Sequence, residues 1–78
     1  MSYEEKEPAL ADGIILQETQ KAMLFCQSQE RGTKVYQVWI PHSVINHVSK
    51  KGKNPEGKWI ATIELSEYMA DEKGLEYR

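Results

Sequence analysis

The segment Gly52-Lys53-Asn54-Pro55-Glu56-Gly57-Lys58 has the glycine and lysine spacing of a loop that cradles phosphate. Such a loop needs a hydroxyl residue after its lysine to hold magnesium, a strand before it and a helix after it whose N-terminus faces the phosphates. Here Trp59 stands where the hydroxyl should be, and an alternating strand pattern follows. Pro55 removes an N–H donor and Glu56 adds negative charge, so the segment reads as a hairpin loop. Cys26, His42 and His47 are the soft metal ligands of the chain. The spacing of the two histidines fits neither a helical i, i+4 pair nor a zinc knuckle, so the residues predict no metal and no cofactor. A nucleophile drawn from Cys26 or Ser43 fares no better. Cys26 lies in an apolar strand pattern, where burial raises the thiol pKa and leaves it inert, and Ser43 has no base with an orienting partner. Asp71 and Glu72 are adjacent on a helical pattern, where neighbouring side chains diverge and do not share a proton. The chain is expected not to be an enzyme.

Two sets of residues carry binding chemistry instead. Lys50, Lys51, Lys53 and Lys58, with His47 and Trp59, could contact phosphates and stack a base. Against this stand a net charge of −2, from ten basic and twelve acidic residues, and the alignment of Trp59 with Ala61 and Ile63 on the core side of a strand. The aromatic residues Tyr36, Trp39, Tyr68 and Tyr77 exceed what a minimal core consumes, and exposed Trp and Tyr side chains are common interface anchors. The leading expectation is a non-catalytic protein-binding module using Tyr36, Trp39 and Tyr68. Its partner is a host protein or a second copy, a homodimer formed through an edge strand. The competing expectation is that the C-terminal helix covers Trp39. A small nucleic-acid-binding accessory protein using residues 49–58 is the alternative function.

These residues have to be positioned by one small core. A chain of 78 residues sustains a single domain, and 40% apolar with 28% charged residues is a globular balance. Apolar runs such as Gly13–Leu16 and Met23–Cys26 fall far short of the roughly 18 residues of a membrane span. The acidic opening lacks the apolar region of a secretory signal, and a lone cysteine excludes an internal disulfide. Together they predict a cytoplasmic protein with no membrane association. Residues 1–12 read as a flexible acidic tail and 13–78 as one β-rich domain. Asp12-Gly13 marks a turn before a strand at Ile14-Ile15-Leu16, and Ala22–Gln27 forms a second strand. Gly32 closes a hairpin to a third, Lys34–Ile40, which Pro41 ends. Residues 42–49 read as a short helix or turn and 49–57 as a loop. Lys58–Leu65 is the clearest strand, with Trp59, Ala61, Ile63 and Leu65 on one face. Ser66 then caps a short helix that Gly74 and Leu75 terminate. The fold expected is mainly β, a β-rich α+β chain. It is a four-stranded antiparallel sheet or a small SH3-like or OB-like barrel, with one short C-terminal helix.

Three further stretches carry a resemblance: Lys21-Ala22-Met23-Leu24, Trp39-Ile40-Pro41-His42-Ser43, and Ala70-Asp71-Glu72-Lys73-Gly74-Leu75. Across residues 17–75 the chain resembles small uncharacterised reading frames of bacteriophages and mobile elements. His42 and the long 49–58 segment depart from that pattern. The resemblance brings no functional residues. It implies a viral protein acting as an inhibitor or anti-defence factor on a host protein, or as an accessory in DNA metabolism.

Overall fold

The computed structural model describes residues 8–28 and 35–78. Five strands, β1 (Ala9–Glu18), β2 (Ala22–Ser28), β3 (Val35–Pro41), β4 (Ile45–Lys53) and β5 (Trp59–Leu65), precede one helix, α1 (Glu67–Glu72). All pairings are antiparallel, and the order across the sheet is β3-β2-β1-β5-β4. The chain is thus mainly β with a short C-terminal helix, as the alternation predicts.

Alternation sets the two faces. Ala9, Ala11 and Ile15 of β1, Met23 and Phe25 of β2, Ile40 of β3 and Ala61, Ile63 and Leu65 of β5 are buried together. They occupy every second position of their strands, so they line one side of the pleat. Burying Phe25, Met23, Ile40, Ile63 and Leu65 from water is worth roughly 1.5–3 kcal/mol each. The helix lies against β1, with Ala70 and Leu75 joining the core and Met69 packed at its margin. Ser66 Oγ accepts the Met69 N–H (3.1 Å), and Gly74 adopts φ +73°. The Leu75 N–H donates to Ala70 O and the Gly74 N–H to Asp71 O, the paired bonds of a Schellman cap. A helix of six residues has no stability of its own and exists because this packing and these caps hold it.

The edge strands β3 and β4 are separated in sequence only by His42–Val44, a 3₁₀ turn. Four Cα steps reach at most about 14 Å, whereas a flat five-stranded sheet is about 19 Å across its strand axes. The sheet therefore curls, making the buried face concave and the other face convex. Among the described residues no ladder joins β3 to β4, and the sheet remains open in its hydrogen bonding.

Four expectations need correction. Among the described residues there are five strands, not four: the segment read as a turn and a loop contains β4. Register shifts at Ile45/His47 and Lys50/Gly52 interrupt its alternation, which hides the strand from a period-2 reading. Ala9–Asp12, read as part of a tail, pair with β5; residues 1–7 lie outside the described residues. Gly13 is not in a turn but in the middle of the central strand, opposite Ala61. Finally, the ordered loop is 54–58, not 49–57. The hairpin expected at Gly32 lies outside the described residues.

Candidate interaction surface

One helix cannot cover both sides of a five-stranded sheet. The convex face carries Ile14 of β1, Leu24 and Cys26 of β2, Gln37 and Trp39 of β3, and Ile60 of β5, the side-chain set opposite the core. Trp39 is 44% exposed and Ile60 40%, while Ile14 and Leu24 between them are half-buried. Trp39 stands opposite Leu24, and Ile14 stands opposite both Cys26 and Ile60, so the apolar residues run across four strands. The C-terminal helix does not cover Trp39.

The three aromatic residues expected to bind a partner lie on different surfaces. Tyr36 is three positions from Trp39 and so on the other face, where it packs at the core margin and its hydroxyl donates to Lys73 O. Tyr68 is 70% exposed on the helix, which lies across the concave face. Only Trp39 belongs to the convex surface.

The basic residues are largely engaged by their own chain. Lys50 Nζ and Lys53 Nζ sit 5.1 and 4.9 Å from the centroid of the Trp59 ring, and Lys58 Nζ donates to Leu16 O at 3.2 Å. Two cation–π contacts occupy the ring that a nucleic-acid base would stack on. His47 and Lys51 are exposed on β4. The 54–58 turn is closed by Asn54, whose Oδ1 accepts the N–H groups of Glu56 (3.0 Å) and Lys58 (2.8 Å), while Gly57 N–H donates to Asn54 O at 2.9 Å. Donors that a phosphate loop would aim at its ligand are spent inside the turn.

Cys26 is buried in β2, and burial pushes its thiol pKa up. His42 Nε2 lies 3.0 Å from Thr19 O at the end of β3, and His47 is on the opposite edge of the sheet. Among the described residues no three His, Cys, Asp or Glu side chains are grouped to hold a metal ion. No described helix is long and apolar enough to cross a membrane.

Sequence reasoning missed a polar junction. The buried Gln27 amide donates to Asp12 O (3.0 Å) and Glu76 O (2.8 Å), and its Oε1 accepts the Glu76 N–H (2.9 Å). Leu10 and Arg78 exchange backbone hydrogen bonds of 3.1 and 3.0 Å, so the last residues lie alongside the start of β1. Arg78 pairs with Asp12 at 2.7 Å, and Asp12 also accepts from Thr62 Oγ1. A depression of about 240 Å³ lies there, and the Arg78–Asp12 ion pair forms part of its lining. Gln27 sits at a core position of β2, and a glutamine among apolar residues was the signal that could have revealed the junction. No protein-family model, curated protein or solved structure matches the chain.

Proposed function

We propose that the chain is a non-catalytic protein-binding module that docks through the convex face of its sheet, around Trp39, Leu24, Ile14 and Ile60. The observation that carries this reading is Trp39, 44% exposed on the face opposite the helix. A large aromatic ring beside half-buried aliphatic residues loses little conformational entropy on binding and gains much apolar contact. The curl of the sheet makes this face its convex outer wall, with β3 and β4 left as edges among the described residues. The resemblance to phage reading frames makes a host protein the first partner class to test, with inhibition as the consequence of docking.

The test is site-specific photo-crosslinking in host lysate from two positions, Ile60 on the convex face and Glu72 on the exposed side of α1. A protein adduct from position 60 alone, identified by mass spectrometry, is expected. Excess unlabelled protein should abolish it, and the Trp39→Lys variant should not. Equal labelling from both positions, or no adduct from position 60, refutes the proposal.

A further inference from the structure

The two edges of the sheet differ in kind. Edge β4 carries Lys50, Lys51 and Lys53 and two register irregularities. Charged side chains and bulges are how sheet edges are protected against pairing with another chain, and two copies of this edge would bring lysine against lysine. Edge β3, Val35-Tyr36-Gln37-Val38-Trp39-Ile40-Pro41, holds no charged residue, and its register with β2 is unbroken over all seven positions. Its only proline is the last residue. Among the described residues its sole ladder partner is β2, which leaves the outer row of N–H and C=O groups without a strand.

From this contrast we infer that β3 is a homodimerisation edge: two copies pair β3 to β3 antiparallel about a two-fold axis, giving one continuous sheet of ten strands. The occupant is a second copy because the edge is complementary to itself. A neutral strand meets its own copy without like-charge repulsion, and an antiparallel pair about a two-fold axis gives each copy the same hydrogen bonds. Side chains of the same face then meet across the seam. With the axis beside Val38, the midpoint of the strand, Gln37 faces Trp39 of the second copy and Tyr36 faces Ile40. The two convex faces become contiguous, and both Trp39 rings flank the seam. This assembly goes beyond the proposed docking surface and does not depend on it.

Sedimentation equilibrium over a concentration series tests it. The parent chain is expected to rise to twice its 9.0 kDa mass. Gln37 is exposed on β3, so Gln37→Lys and Gln37→Glu can be made without disturbing the core; circular dichroism checks that each folds. Like charges facing the same seam are expected to weaken each variant's self-association at least about tenfold. A one-to-one mixture of the two should restore the doubled mass through opposite charges. A parent chain that stays at 9.0 kDa throughout overturns the inference. So does a variant that still dimerises as the parent does, or a mixture that remains monomeric. Ile14→Lys, on the convex face of β1 away from β3, should leave the dimer intact while removing the adduct formed by the probe at position 60, so the two proposals fail separately.

Discussion

Replacing Gly13 with alanine is the most direct test of the packing described above. Gly13 lies in β1, the central strand, with Phe25 of β2 against it. A Cβ placed there would lie 2.7 Å from Phe25 Cζ and 2.8 Å from Cε2, and it would also clash with the carbonyl oxygen of Cys26. Neither neighbour yields easily. The Phe25 ring is wholly buried, and the Cys26 backbone belongs to the β1–β2 ladder. Overpacking of this kind costs about 2–3 kcal/mol, the upper part of the usual range because one clash is with backbone, while alanine regains roughly 0.5–1 kcal/mol relative to glycine in a strand. The net loss expected is about 1–2 kcal/mol. With a urea slope of about 1 kcal/mol/M for a small domain, the unfolding midpoint should fall by about 1–2 M. The ring and the carbonyl can then be told apart. Phe25→Leu removes the ring contact and leaves the backbone contact, so Gly13→Ala with Phe25→Leu should cost about 1 kcal/mol less than the two changes summed. Urea melts of the four proteins, followed by tryptophan fluorescence, measure both quantities. A Gly13→Ala midpoint within about 0.5 M of the parent, or strict additivity in the double variant, refutes the close approach of β1 and Phe25.

Three other outcomes follow from the structure. Gln27→Leu deletes the three hydrogen bonds that fasten Glu76 and Asp12, and should lower stability by about 1–3 kcal/mol. Amide exchange at Glu76 should accelerate at the same time, and an unchanged rate there would contradict the junction. Burial raises the Cys26 thiol pKa, so at neutral pH less thiolate is present than for an ordinary cysteine. Alkylation of the native chain should therefore be slow, should quicken as pH rises through the thiol pKa, and should become fast once urea unfolds the protein; rapid native labelling at pH 7 would show the thiol to be accessible. With Lys50 and Lys53 held on Trp59, labelled DNA is expected to keep its mobility at low salt. A salt-dependent shift that Lys51→Glu and Lys58→Glu abolish would restore the nucleic-acid reading.

What the residue order determines by itself is local. The alternation of Trp59, Ala61, Ile63 and Leu65 names both a strand and its buried side, because successive side chains of extended backbone point to opposite faces. The cap at Ser66 and the stop at Gly74 are equally local, since each satisfies backbone groups within a turn of itself. Strand β4 was hidden because its two bulges shift side chains between faces, and only pairing with β5 keeps such a sequence extended. Gly13 looks like a turn residue next to Asp12. It is a strand residue because the Phe25 ring needs the space that a side chain would fill. Tyr36, Trp39 and Tyr68 form no common patch, because a spacing of three along β3 sends Tyr36 and Trp39 to opposite faces, while the helix holds Tyr68 over the concave one. Which edge stays unprotected, and which face the helix leaves bare, depends on strand order and on the short link from β3 to β4 that curls the sheet. Those are long-range pairings, fixed by how the whole core closes rather than by any neighbouring residues.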